Sequence, residues 1–493
     1  MTAMRGFQAY IDGEFVEGAA KFWSVDPATG KAWAEMPESG KAEVDRAVEA
    51  ADRALCRGPW PAMTATQRGK LLFKLADLIA GNAEKLAEIE TRDTGKIIRE
   101  TSAQIAYVAE YYRYYAGLAD KIEGSVLPID KPDMDVWLRR EPIGVVAAIV
   151  PWNSQLFLAA VKIGPALAAG CTLVVKASED GPGPLLEFAR LVHEAGVPPG
   201  VVNILTGFGP SCGAILASHP KVAHVAFTGG PGTARHIVRQ SAENLASVSL
   251  ELGGKSPFIV FADADLESAT NAQVAGIFAA TGQSCVAGSR LIVERSIKDR
   301  FLEILKQKAA AVRVGNPLDM ATEYGPLCTE RQRTHIERTI LASVEAGAHI
   351  VFGGQALEQA GYYFAPTVID CDGCQLATLP CLNEEFFGPV LSVVSFENED
   401  EALQLANDTA YGLAAGLFTQ NLTRAHRMMR GIRSGIVWVN TYRAVSPIAP
   451  FGGTKLSGHG REGGLAAALD FTRTKTIWLR TSDAAIPDPF VMR

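Results

Sequence analysis

Apolar residues recur at helical spacing early in the chain and condense into short unbroken runs later on. Two amphipathic helices are predicted over 41–56 and 65–80, after an irregular start. In the second, Leu71, Leu72, Leu75, Leu78 and Ile79 fall along one stripe, as a half-buried helix requires. A third, long helix is predicted from about Asn82 to Ala119. Its end carries Tyr107, Tyr111, Tyr112, Tyr114 and Tyr115, rings that cover a core while their hydroxyls stay wet. From Gly144 the runs Val145–Val150, Thr172–Lys176, Val201–Leu205, His224–Phe227 and Ser247–Glu251 alternate with helices over 156–169, 183–194, 210–218 and 232–242. Strands without in-out alternation, joined by helices, predict a parallel sheet covered on both faces. The crossovers are right-handed, so the α/β fold is a doubly wound sheet with its ligand crevice at the carboxyl ends of the strands.

After Gly254 a second α/β series begins: a strand at Pro257–Phe261, a helix near 265–281, a strand at Arg290–Val293 and a helix over 296–313. Residues 123–142 read as a strand pair, and 472–480 alternate cleanly; such edge strands need a partner, and another subunit would supply one. The segment Leu156–Val175 has the length of a membrane span, ~20 residues. Lys162, Gly164, Pro165 and the Ala169-Gly170 break interrupt it, so a buried helix followed by a buried strand is predicted instead.

Composition narrows the class. The chain has 493 residues, enough for roughly three domains at ~100–200 residues each. With 48% hydrophobic and 20% charged residues it is neither disordered nor fibrous. A net charge of −7 without a basic block argues against a nucleic-acid partner. Eight cysteines in so long a chain are not a disulfide framework, and Met1–Gly6 has no apolar run behind its Arg5. A cytoplasmic protein with free thiols is expected. Cys371 and Cys374 form a lone C-x-x-C without a second ligand pair, so no metal site is expected.

The candidate chemistry lies where strands end. Pro151-Trp152-Asn153, Lys176 to Glu179, Gly207-Phe208-Gly209, Thr228 to Gly232 and Glu251 to Gly254 follow five successive strands, which puts polar or Gly-rich turns along one edge. Glycine lets backbone approach a pyrophosphate, and a helix N-terminus favours anions. These turns alone are also compatible with ordinary loop glycines. Cys285 lies in a turn of small residues, with room for a substrate above the sulfur; a structural buried cysteine is the alternative. Glu251 ends a buried strand, where a carboxyl without a partner has a raised pKa and can act as a base near neutral pH.

Seven segments occur in one order: Pro151–Asn153, Lys176–Glu179, Phe227–Gly229, Glu251–Pro257, Gly282–Cys285, Glu384–Val390 and Pro450–Gly453. Through them the chain resembles the NAD(P)-dependent aldehyde dehydrogenases over almost its whole length. The resemblance implies a cofactor domain over 1–122 and 143–253, a catalytic domain over 254–471, and an oligomerisation arm and tail over 123–142 and 472–493. It implies a homodimer or homotetramer with a small-molecule aldehyde as substrate and no membrane partner. Cys285 would be the nucleophile and Glu251 the base that activates water. The amide of Asn153 and the N–H of Cys285 would hold the oxyanion, and Lys162 and Glu462 would assist orientation and proton relay. Lys176 and Glu179 would bind the adenine ribose and Glu385 the nicotinamide ribose. Ile149, Val150, Pro151, Trp152, Ser178, Gly209, Gly213, Phe227, Thr228, Gly229, Gly230, Thr233, Leu252, Gly253 and Phe387 would line the cofactor.

A carboxylate at Glu179, with Asp180 beside it, accepts bonds from a ribose hydroxyl and repels a 2′-phosphate, which favours NAD over NADP. The tunnel would comprise Tyr107, Leu158, Ser284, Val286, Arg443 and Val445. Ser154-Gln155 stands where the family has Phe-Pro, Ala177 where Pro is usual, Gly230 where Ser is common, and Ala234 replaces a Gly. The small Val445 and the polar Ser154-Gln155 predict a polar or bulky aldehyde. Arg443 would anchor a semialdehyde carboxylate, or form a surface or subunit salt bridge. The competing readings are a CoA-acylating enzyme, which generally lacks a base such as Glu251, and a non-catalytic homologue, which has no need of Cys285, Glu251 and Asn153 together.

Overall fold

The computed structural model describes residues 5–18 and 20–491. The leader reading at Met1–Met4 and the last two tail positions lie outside the described residues. Two large sheets dominate. The first has eight strands in the order Gly458–His459, Ser247–Leu252, Val222–Gly229, Val145–Ile149, Thr172–Ala177, Val202–Thr206, Ala9–Ile11 and Glu14–Val16. Its five central strands are mutually parallel, as the apolar runs predict. Thr172–Ala177 is buried along its whole length, since helices cover both faces. Each fully buried Val or Leu there contributes about 1.5–3 kcal/mol.

The second sheet has seven strands in the order His349–Phe352, Thr367–Asp370, Val390–Phe396, Arg290–Glu294, Pro257–Val260, Ala414–Phe418 and Ile436–Val439. Only the first pair is antiparallel. The α/β expectation therefore holds in both series. Residues 458–459 leave the second series and pair with Leu250 and Glu251 at the edge of the first sheet. Ala468 and Phe471 then join that sheet's core.

Several expected elements differ. The start of the chain is not irregular. Ala9–Ile11 and Glu14–Val16 form a hairpin on the first sheet, and Arg5–Gly6, Lys31–Glu38 and Ala20–Asp26 make a small sheet. The hairpin turn is Asp12-Gly13, both left-handed at φ 57° and 82°, which is the strongest short-range hairpin signal a sequence carries. The long helix over 82–119 is two helices, Ala83–Thr94 and Ile98–Leu118. Gly95 separates them at φ 76°, where a Cβ would press on Pro326 and Pro27. Tyr112 and Tyr115 are fully buried rather than wet at the hydroxyl. The stretch 210–218 is a wide turn over Gly209–Gly213 followed by one helical turn, Ala214–Ala217. The helix near 265–281 stops at Ile277.

Leu156–Val175 is the predicted buried helix and strand, Gln155–Ala169 and Thr172–Ala177. Among the described residues no helix is long and apolar enough to cross a membrane. The strands Met134–Pro142 and Thr472–Arg480 pair with each other, antiparallel from Thr472 opposite Pro142 to Arg480 opposite Met134. Ser125–Leu127 adds a third strand on the other side.

Candidate active site

The thiol of Cys285 reaches the wall of a cavity of about 480 Å³. Its position follows from a sharp local turn. Ala280, Thr281 and Gly282 are all left-handed, at φ 52°, 53° and 70°. A Cβ on Gly282 would lie 2.2 Å from the carbonyl of Gly388, so only glycine fits there. The Glu100 carboxylate braces the turn by accepting from the Ala280 N–H at 3.0 and 3.1 Å. Cys285 is half-buried. Burial first, then the charges of Glu385, Glu251 and Glu462, push its thiol up to about 12, with Arg443 acting the other way. The resting thiol is therefore protonated near neutral pH.

Asn153 follows the strand Val145–Ile149 and is held two residues from the thiol, its Nδ2 donating to the Gln283 carbonyl at 3.1 Å. Asn153, Ser284 and Cys285 all line the cavity. Glu251 lies in the strand Ser247–Leu252, 5% exposed, and neither carboxylate oxygen has a hydrogen-bond partner among the described residues. Burial first, and then the like charge of Glu462, raise its pKa well above the carboxylate range. Lys162 is paired with Glu462, in a contact that also engages Thr228: Lys162 Nζ donates to Thr228 Oγ1 at 2.6 Å. The side chain of Thr228 thus faces this pair. Glu462 lines the cavity.

The carboxyl ends of the central strands form the second half of the site. Gly209, Gly213, Gly230 and Gly232 each have open space where a Cβ would stand. Gly230 and Thr233 lie at the start of the helix Pro231–Ser241, whose first N–H groups receive no side-chain cap. Gly229 packs against the Phe227 ring, where a Cβ would come within 2.5 Å. Ile149, Val150, Leu252 and Gly253 are buried strand-end residues, and the Ser178 hydroxyl accepts from the Asp180 N–H at 3.3 Å. Lys176 and Glu179 pair at 2.8 Å, and Trp152 meets the Phe387 ring edge-on at 5.4 Å beside Pro151. Open glycines, an uncapped helix start and a carboxylate near the edge fit a dinucleotide with a free ribose 2′-hydroxyl. Asp180 is committed elsewhere, paired to Arg331 at 2.5 Å, so Glu179 alone carries that preference.

Glu385 folds inward over the Gly253-Gly254 backbone and accepts from the Gly254 N–H at 3.0 Å. Gly253 must be glycine here, because a Cβ would stand 1.8 Å from the Glu385 carboxylate. Burial moves Glu385 up to about 7. A ribose contact needs this side chain to turn outward.

Tyr107, Leu158, Ser284, Val286, Arg443 and Val445 all line the cavity. Tyr107 donates to the Val445 carbonyl at 3.0 Å, which ties the helix Ile98–Leu118 to the loop after Val439. Arg443 donates to the Ala275 carbonyl at 2.8 Å and enters no ion pair among the described residues. Residues the spacing did not single out also reach the site. Gln104, Ser154 and Phe157 line the cavity, and Lys96 stands behind them, with Nζ donating to Ser154 Oγ at 2.7 Å and Gln104 Oε1 at 2.8 Å.

The aldehyde dehydrogenase family model matches residues 15–477. A curated relative from Acinetobacter baylyi, named (Z)-2-((N-methylformamido)methylene)-5-hydroxybutyrolactone dehydrogenase, is 67% identical over 490 residues, covering 99% of this chain and 100% of that protein. The betaine aldehyde dehydrogenase of Bacillus subtilis is 39% identical, covering 97% and 98%. A solved NAD+ complex of aldehyde dehydrogenase from Bacillus cereus superposes with a TM-score of 0.95 at 41% identity, covering 97% of each chain. The thiol, the buried carboxyl and the strand-end cradle thus sit within a likeness that spans the chain from end to end, and the chain belongs to the aldehyde dehydrogenase family.

Proposed function

We propose that this protein oxidises an aldehyde to its carboxylic acid with NAD+, using Cys285 as nucleophile and Glu251 as base. One observation carries the reading: the Cys285 thiol and the Asn153 amide line one cavity, and the buried carboxyl of Glu251, unpartnered among the described residues, is near enough for its charge to act on the thiol. The Cys285 sulfur attacks the aldehyde carbon, and the thiol proton passes to solvent water in the open cavity as the bond forms. The Asn153 amide and the Cys285 N–H stabilise the alkoxide that develops; losing one such donor typically slows turnover by ~10²–10³-fold. Lys176, Glu179 and the open glycines at the strand ends would hold NAD+, which would supply the acceptor for the hydride leaving this carbon. The acyl group then remains on Cys285 as a thioester. Glu251 takes a proton from water, the hydroxide adds to the thioester carbon, and the acid departs while the thiol reforms. Lys162 and Glu462 form a relay that carries the proton from Glu251 toward solvent. A CoA-acylating enzyme would leave Glu251 without a role.

The substrate is a polar aldehyde. The Acinetobacter baylyi relative is named for a 5-hydroxybutyrolactone. A ring of that kind opens to an aldehyde and a carboxylate on one carbon chain, and the open form is the one a thiol can attack. We infer an aldehyde of this class for the present chain. We also propose that the protein works in the cytoplasm as a homo-oligomer joined through the strands Ser125–Leu127, Met134–Pro142 and Thr472–Arg480.

Cys285→Ala is expected to abolish NADH production from an aldehyde panel, while NAD binding, read by fluorescence quenching or calorimetry, persists. Near-normal turnover in that variant would reject the nucleophile assignment. The same panel with NADP should run more slowly than with NAD.

A further inference from the structure

One end of the cavity presents hydrogen-bond donors and a cation. Among the described residues that line it, Arg443 and Glu462 alone are charged, and Glu462 is held by Lys162. Arg443 uses one of its five N–H groups on the Ala275 carbonyl. Its backbone is left-handed at φ 60°, a strained position for a bulky residue, and the residue lines the cavity.

The facing wall is polarised in the same sense. Lys96 is buried behind it, 3.7 Å from the Glu90 carboxylate. Its ammonium occupies the carbonyl oxygen of Gln104 and the oxygen of Ser154, and the Ser154 hydroxyl donates to the Asn153 carbonyl at 2.7 Å. The free end of Gln104 is therefore its NH₂ group. Gln104 and Arg443 belong to one end of the cavity. Tyr107, one helical turn after Gln104, bonds to Val445, two residues after Arg443. The field of Arg443 also reaches Lys96, whose pKa is lowered by burial, raised by Glu90 and Glu100, and lowered again by Arg443.

We propose that Arg443 and the Gln104 amide form a carboxylate subsite, which makes the protein select open-chain aldehyde acids over neutral aldehydes. The planar fork of Arg443 matches a carboxylate, and the Gln104 NH₂ adds a further donor, whereas a neutral tail gains no charge-assisted bond there. A hydroxylactone carries no carboxylate until it opens, so this subsite captures the opened form with its aldehyde free for Cys285. The proposal rests on the aldehyde oxidation argued above.

The test is steady-state turnover of 4-oxobutanoate and butanal with saturating NAD, in the unaltered protein and in Arg443→Gln, Arg443→Lys and Gln104→Leu. Thermal melts and NAD binding establish that each variant is folded. Arg443→Gln is expected to raise KM for 4-oxobutanoate ~10–100-fold with little change in kcat, and to lower the acid-to-neutral kcat/KM ratio by a similar factor. Arg443→Lys should restore part of that ratio, and Gln104→Leu should lower it by a smaller factor. Succinate should compete with 4-oxobutanoate in the unaltered protein and lose that effect in Arg443→Gln. Equal loss for both aldehydes, which is what a merely structural brace to Ala275 produces, overturns the proposal, as does an unaltered protein without preference for the acid. Oxidation of neither aldehyde by the unaltered protein is a different outcome and overturns the oxidation itself.

Discussion

Glu251 has two carboxylate oxygens and no hydrogen-bond partner for either among the described residues. Such a burial is costly for the charged form, so the proton stays on to higher pH than in water. The consequence has a definite sign. As pH falls through the raised pKa, Glu251 becomes protonated and cannot accept a proton from water, so deacylation is lost on the acid side. Glu251→Gln is expected to keep a first-turnover burst of NADH and to slow the steady rate at least ~10²-fold, the lower end of what a positioned base contributes. The substitution also removes one of the charges that hold the Cys285 thiol up, so thioester formation should survive it. Rapid-mixing absorbance of NADH checks both phases. A steady rate close to that of the unaltered protein, or an acid limb that stays in place, places water activation elsewhere.

At the scale of elements, Asp93 joins four of them. It lies in the last turn of the helix Ala83–Thr94 and accepts from the Gly183 N–H at 2.6 Å and the Trp33 indole at 3.0 Å, with the Ser24 hydroxyl as a further donor. Burial pushes it from 3.8 to about 6, against the downward pull of those bonds. Because the folded form holds its proton more tightly than the unfolded chain, the contribution of Asp93 to stability falls as pH rises from about 4 to about 6. Asp93→Ala is expected to destabilise by about 1–3 kcal/mol for each donor it orphans. Denaturant melts across that pH window should show the loss together with a flatter pH dependence.

The same region explains what was legible beforehand. Central strands such as Thr172–Ala177 could be read directly, because burial on both faces leaves an unbroken apolar run. Strand ends then exposed Asn153, Glu251 and the glycine turns. The break at Gly95 was masked by the strong helical period on either side of it. Lys96 and Gln104 escaped because their facing depends on how two helices pack, a long-range property that no local spacing encodes. The edge strand Gly458–His459 was equally hidden, since its partner lies some two hundred residues earlier in the chain. Asp12-Gly13, by contrast, carried an adequate local signal that the reading of an irregular start passed over.

At the scale of the molecule, the arm is the least self-sufficient part. Its three strands pair with one another, yet Val126 is 70% exposed, Trp137 44% and Trp478 57%. Val126 stands directly opposite Trp137, and Trp137 opposite Ile477, so these three side chains share one face, whereas Trp478, opposite Val136, lies on the other. A three-stranded sheet of this kind needs a hydrophobic face covered before it is stable, and large exposed apolar patches mark contact sites. The outer edge strands add unpaired backbone, which a second subunit can continue. If a second copy covers this surface, Trp137→Glu places a charge in a dry contact and should shift the protein to a smaller species. Light scattering coupled to size exclusion reads that change directly. The catalytic cavity is lined without any arm residue, so the smaller species should still bind NAD. An unchanged molar mass in a folded Trp137→Glu variant would move the subunit contact away from the arm.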